Sequence, residues 1–186
     1  FENEYNPFIN FLKNSKEGNI YQILLPKEWQ NYTSKILKKK FYLDLMRTKR
    51  LIKKHGKVEF IIAKNPQEKR NFLDILINQK KESLLKGNNK PFSKKDLNFY
   101  KNFEKKIFKK IKTQTSCLIL DNELIAIHWG IIYKKRFYYL LLSMKEKNLS
   151  KFSPGRLLIA LLIRWSISKK MEIFDFTLGD EEYKKS

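Results

Sequence analysis

Apolar positions follow two rhythms along this chain. Short continuous runs mark strands: Ile20 to Leu25, closed by Pro26; Val58 to Ala63; Thr115 to Leu120; Leu124 to Tyr133; Phe137 to Met144; and Ile173 to Phe176. Between them the apolar spacing lengthens to three and four residues. This predicts helices over residues 5–15, Glu28 to Lys39, Phe41 to His55, Asn65-Pro66 to Lys86, Ser93 to Lys112 and Pro154 to Lys169. The predicted ends carry suitable chemistry. Gly56 and Gly87 stop the helices before them, Pro66 sits in a first turn, and Ser93 with Asp96 has the spacing of a capping box. Phe99, Phe103, Ile107 and Ile111 recur every four residues and are expected to form one core stripe. Asp121-Asn122 and Lys134-Lys135 read as tight turns, so the three strands around them form an antiparallel meander.

The helix from Pro154 differs from the others. Its polar positions, Arg156, Arg164 and Ser168, fall with Ala160 on one narrow stripe, and nearly everything else is apolar. Such a helix is buried on most sides, as when it lies across a sheet. The order of elements gives an α/β or α+β fold with a mixed sheet.

Composition then bounds the class. The 186 residues suffice for one packed domain with a small appendage, and 42% hydrophobic and 14% aromatic content supports a substantial core. No apolar run approaches the ~20 residues of a membrane span. No signal peptide opens the chain, and a start at Phe1 suggests a region of a longer protein. The lone Cys117, within a strand-like run, fits a core position and a reducing, cytoplasmic compartment.

The formal charge of +21 suits an anionic partner: nucleic acid, a membrane surface or a phosphate-bearing molecule. Most of the basic residues are Lys, whereas base-reading proteins rely on Arg, and Lys enrichment is also what A/T-rich codons produce. The basic helices over 28–55 therefore read either as a ridge attracting an anion or as a solvated surface.

Candidate chemistry concentrates after Asp121. At Ser153-Pro154-Gly155-Arg156 the first N–H groups of a helix have no partner within the helix. Gly155 lets a ligand approach the backbone, and Arg156 adds charge, so a pyrophosphate fits here; so does an ordinary start with Ser153 as N-cap and Pro154 at the first position. Asp175 alternates with Phe174 and Phe176 and points away from them, either as a general base or acceptor anchor or as a buried carboxylate satisfied by backbone N–H groups. His128 shares a strand face with the small Ala126 and Gly130, which suits a ligand-facing role or a core histidine. No His/Cys cluster suggests a metal, and no nucleophile elbow suggests a covalent hydrolase.

A hairpin, a phosphate-ready turn, a long helix and a strand ending in an acidic cluster together resemble the GNAT acyltransferase superfamily. The nearer resemblance is to its FemAB-like and CelD-like branch. It rests on Phe174-Asp175-Phe176-x-x-Gly179-Asp180-Glu181-x-Tyr183-Lys184 and on Ser153-Pro154-Gly155-Arg156-Leu157-Leu158. Trp29-x-x-Tyr32, Arg47 and Arg50 on the basic helix, and Gly56-Lys57-Val58 support it, and it runs from about Ile20 to Ser186.

The resemblance implies a GNAT-like mixed, mostly antiparallel sheet flanked by helices. Residues 1–19 would belong to a preceding region, and 20–186 would form the acyltransferase domain without its last strands. An acyl-CoA, such as acetyl-CoA, would lie between the strands Phe137–Met144 and Ile173–Phe176. Backbone groups near Leu142, Ser143 and Met144 would pair with the pantetheine, and the turn from Ser153 to Arg156 would take the pyrophosphate. Asp175 or His128 would serve the acceptor, Tyr183 would protonate the leaving thiolate (its other role being packing), and Lys184 would meet phosphate or solvent. The acceptor would be an amine or hydroxyl, on a sugar or cell-envelope precursor.

Two departures belong beside it. Gly155 is followed by Arg156 and Leu157 where the general phosphate loop has a second small residue, and Phe152 occupies the loop's first position. FemAB-like relatives use aminoacyl-tRNA in place of a CoA thioester, which gives a second enzymatic reading. A basic nucleic-acid-binding module is the third.

Overall fold

A computed structural model describes residues 20–87, 92–105, 109–145 and 152–178. Six strands form one sheet: β1 (Ile20–Leu24), β2 (Val58–Ile62), β3 (Ile111–Leu120), β4 (Glu123–Tyr133), β5 (Arg136–Met144) and β6 (Ile173–Leu178). Their spatial order is β1-β6-β5-β4-β3-β2, and every neighbouring pair is antiparallel except β5 with β6. Five helices flank it: α1 (Trp29–Asn31), α2 (Lys39–Lys53), α3 (Pro66–Lys86), α4 (Lys94–Lys105) and α5 (Pro154–Ser168). The element order predicts the mixed sheet and the antiparallel meander, and the mostly antiparallel architecture is the one that the resemblance implies.

Side-chain alternation divides the core into two layers. On one face Leu118, Ala126, Phe137, Tyr139, Phe174 and Phe176 pack under α5, with α2 beyond it. On the other face Cys117, Ile127 and Trp129 pack against Leu73, Leu76 and Ile77 of α3. Leu158 and Leu162 of α5 are fully buried, while Arg156, Arg164 and Ser168 are exposed, so the narrow polar stripe is the solvent edge of that helix.

The turns act as their residues suggest. Asp121 and Asn122 both take positive φ (45° and 68°), which matches the right-handed twist of a hairpin, and Lys134 takes φ 53° in the next turn. Asn65 accepts the Glu68 N–H at 2.9 Å, and Ser93 and Asp96 cap each other's backbone N–H groups at 2.8 and 3.2 Å.

Three boundaries differ from the sequence reading. The helix expected from Glu28 to Lys39 is one α-turn that widens into a π-turn over Tyr32–Ile36, and the chain is extended at Leu37. Thr33 and Ser34 hydroxyls bond back to the carbonyls of Trp29 and Gln30, which competes with regular helix. α4 is described to Lys105 and does not reach Lys112, because Ile111 opens β3. Of the expected stripe, Phe103 packs against the α3 layer and Phe99 is exposed, while Ile107 lies outside the described residues. Ser153 caps α5 without its hydroxyl: its φ of 48° is left-handed, and its carbonyl accepts the Arg156 N–H at 3.0 Å. The proposed helix over 5–15 also lies outside the described residues.

Candidate active site

The parallel strands β5 and β6 pair over only three positions, Arg136↔Ile173, Phe137↔Phe174 and Tyr138↔Asp175. Beyond them the strands part, and two local irregularities coincide with the parting. On β5, Trp129 pairs with Leu141 and Gly130 with Tyr139, so Leu140 is an extra, bulged residue. A bulge bends its strand and sharpens the local twist. On β6 the register to β1 shifts between Gln22↔Asp175 and Ile20↔Leu178, with Thr177 at φ 60°. From Leu140 to Met144 the outer edge of β5 therefore has no strand partner among the described residues, and β5 and β6 part to leave an opening.

Asp175 sits at the apex of this opening and is nearly buried. Arg136 Nη1 donates to its Oδ2 at 2.9 Å, and the Thr177 N–H donates to its Oδ1 at 2.7 Å. Both carboxylate oxygens are thus engaged: one ties β6 to β5, the other holds the left-handed turn at Thr177. The Thr177 hydroxyl reaches the Tyr139 carbonyl at 3.4 Å, just past the last β5–β6 pair. Arg136 and Thr177 have no part in the sequence reading. The only signal in the chain was the placement of a scarce Arg at a strand start.

The open end of the gap meets the start of α5. Pro154 has no N–H, and Arg156 and Leu157 donate to the Ser153 carbonyl. The Gly155 N–H points at the Met144 sulfur, 3.2 Å away. A Cβ on Gly155 would meet that sulfur at 2.6 Å and Leu142 Cδ2 at 3.1 Å, so Met144 and Leu142 fill the space beside the glycine backbone. The Arg156 guanidinium lies 5.7 Å from the Phe41 ring centre, toward α2. Ser143 faces the other side of the sheet, beside Ile127, and its buried hydroxyl has no hydrogen-bond partner among the described residues.

The structure thus brings Leu142, Met144 and Gly155 into contact, with Ser153, Pro154 and Arg156 beside them. His128 lies opposite Leu142 in the β4–β5 ladder, one strand in from the gap. It is fully buried beneath α5, its ring stacked on Tyr139 at 4.5 Å and 14°, with neither nitrogen hydrogen-bonded among the described residues. Burial pushes its pKa down to about 3, so the ring is neutral near pH 7. Burial likewise pushes the Cys117 thiol up to about 11. Tyr183 and Lys184 lie outside the described residues. Among the described residues no group of three or more His, Cys, Asp or Glu side chains is placed to hold a metal.

The sequence pattern of the family described as "Acetyltransferase (GNAT) domain" matches residues 39–185. The chain belongs to the GNAT acetyltransferase domain family. No curated protein matches it. This GNAT domain is similar in fold to a structure described as FemX, with a TM-score of 0.63 at 8% identity over 88% of this chain and 53% of that one. It is also similar to a conserved protein of unknown function from Bacteroides thetaiotaomicron (0.61 at 11%, covering 90% and 53%). The third likeness is to L-PGS from Bacillus licheniformis (0.55 at 16%, covering 89% and 47%). At such identities the likeness is one of fold, and the GNAT domain spans about half the length of each of these chains. No helix among the described residues is long and apolar enough to cross a membrane.

Proposed function

We propose that this GNAT domain transfers an acyl group, acetyl being the simplest, from acyl-CoA to an amine or hydroxyl acceptor in the gap between β5 and β6. The observation that carries the reading is the edge of β5, unpartnered among the described residues, running from the bulge at Leu140 toward the start of α5. A bound thioester supplies an activated carbonyl for the acceptor to attack. The residues present fit its diphosphate-bearing arm on one condition. The Gly155 N–H is now turned to a thioether, a weak acceptor on the end of a flexible and partly exposed side chain. A phosphate oxygen is the stronger acceptor, and rotation of Met144 opens the place beside Gly155.

In this reading Leu142, Ser143 and Met144 offer backbone groups along the arm, while Ser153, Pro154, Gly155 and Arg156 form the phosphate end. Asp175 holds the apex open and so positions the reactants. Tyr183 is proposed as the acid for the leaving thiolate, and Lys184 as a charge beside phosphate. Acceptors in cell-envelope or polysaccharide synthesis, and a cytoplasmic site of action, belong to the same proposal.

A second reading rests on the same methionine. With the Gly155 N–H occupied and apolar atoms beside it, the helix start is less suited to a pyrophosphate than an open turn. An aminoacyl ester carried on tRNA, the donor of the FemAB-like relatives, needs no pyrophosphate there. Calorimetric titration with acetyl-CoA and desulfo-CoA separates the two. The CoA reading expects saturable binding that Met144→Ala strengthens by about fivefold, by freeing the Gly155 N–H, and that Gly155→Trp abolishes. Folded protein that binds neither ligand, with Met144→Ala no better, would sink the CoA reading and leave the aminoacyl ester.

A further inference from the structure

A second concavity lies at the other end of α5. The fifteen residues of that helix span about 22 Å. Its first turn borders the gap, whereas its last turn, with Trp165, Lys169 and Lys170, borders a cavity of about 810 Å³. The other walls come from the end of β2 and the first turns of α3, the end of α4, the start of β3 and the β4–β5 turn. The cavity shares no lining residue with the gap, and nothing in the acyl-transfer reading uses it.

Its walls have two characters. Nine lining residues are Lys or Arg, against one carboxylate, Glu104. Glu104 is turned inward: its oxygens accept the Trp129 indole N–H and the Thr113 hydroxyl, both at 2.9 Å. Lys69 is also committed, donating to the Thr113 carbonyl at 2.8 Å. Lys64, Lys112, Lys134, Lys169 and Lys170 have no ion-pair partner among the described residues, whereas Lys135 pairs with Glu172 at 2.5 Å. Between these cations lie Ile111, Ile132, Trp165 and Met171, which are apolar.

Mutually repelling ammonium groups round a concave, partly apolar space need an anion that also has a flat apolar part. A bilayer surface cannot enter a concavity of this size, and a bare inorganic anion leaves the apolar wall unused. We propose that this cavity binds a nucleoside carrying several phosphates, its base against the wall that includes Trp165 and its phosphates among Lys112, Lys134, Lys169 and Lys170. The same chemistry is offered by a free nucleotide and by the 5′-triphosphorylated end of an RNA. The site stands apart from the acyl donor's, so it is a second ligand site of the domain.

The test is titration of ATP, inorganic tripolyphosphate and a short 5′-triphosphorylated RNA into the full chain at about 150 mM salt, where nonspecific charge attraction is largely screened. The Lys112→Glu/Lys170→Glu variant and Gly155→Trp are titrated in parallel, with circular dichroism confirming their folding. The expected result is saturable ATP binding, about tenfold weaker with tripolyphosphate and in the double lysine variant, and unchanged in Gly155→Trp. RNA binding more tightly than ATP assigns the ligand to an RNA end; equal or weaker RNA binding assigns it to the free nucleotide. Equal binding of ATP and tripolyphosphate, loss in Gly155→Trp, or no effect of the lysine substitutions in a folded variant would overturn the proposal.

Discussion

His128 shows how far burial alone can define a side chain. Its pKa of about 3 against an ordinary 6.5 means that the fold holds it neutral while the unfolded chain protonates it. Between pH 6.5 and 3 the unfolded state therefore binds more protons, and this residue lowers stability as pH falls, by up to about 1.4 kcal/mol per pH unit. Above pH 6.5 the contribution is flat. Urea denaturation across this range is expected to show His128→Gln losing stability less steeply than wild type on acidification; equal slopes would count against a neutral, sealed imidazole. Arg136 and Asp175 form the other telling pair. Arg136→Met leaves a nearly buried carboxylate without its cation and is expected to cost about 2 kcal/mol, less than a fully buried pair because the guanidinium keeps some water. In an Asp175→Asn background the same substitution is expected to cost far less, and a double-mutant cycle measures the difference.

Among the elements, β4 and β5 carry the constraint that shapes the gap. Gly130 lies beside the bulge at Leu140, and a Cβ there would meet the Tyr138 carbonyl at 2.4 Å and His128 Cε1 at 2.7 Å. One obstacle is backbone, so Gly130→Ala is expected to cost about 3 kcal/mol in denaturation experiments. Gly155→Ala meets only side-chain atoms, the flexible end of Met144 and, at 3.1 Å, Leu142 Cδ2, and is expected to cost about 1 kcal/mol.

The same elements show what could be read from the chain. The meander, the buried α5 and the caps at Asn65 and Ser93 were legible because each is set by neighbours in sequence. The start of α5 and the strand bearing Asp175 were legible as places. The bulge at Leu140 was not, because it exists only relative to β4, and neither was the Arg136 partner of Asp175, which comes from a different strand. The four-residue spacing that ran Phe103 on to Ile111 was a coincidence of phase: a helix residue and the first residue of β3 happened to fall in step.

For the molecule as a whole, charge is the dominant surface property. At +21, like charges repel throughout the chain, and compaction brings them closer. Raising sodium chloride from about 20 to 300 mM shortens the screening length to several ångströms, so thermal unfolding is expected to shift upward by several degrees. A melting temperature that falls or stays level over this range would show that native ion pairs outweigh the repulsion.

Strand β6 is held on one side by β1, from the opposite end of the described chain: Leu24 pairs with Ile173, about 150 residues later. The meander closes through short turns, but this seam must wait until Ile173 has been synthesised and the helices between it and Leu24 have docked. Contacts so distant along the chain form late because their loop entropy is not repaid until neighbouring contacts exist. The opening between β5 and β6 is consequently complete only once β6 has been made and is held on both sides. A nascent or partly assembled chain would contain the helices and the meander, yet possess no place in which to bring two substrates together.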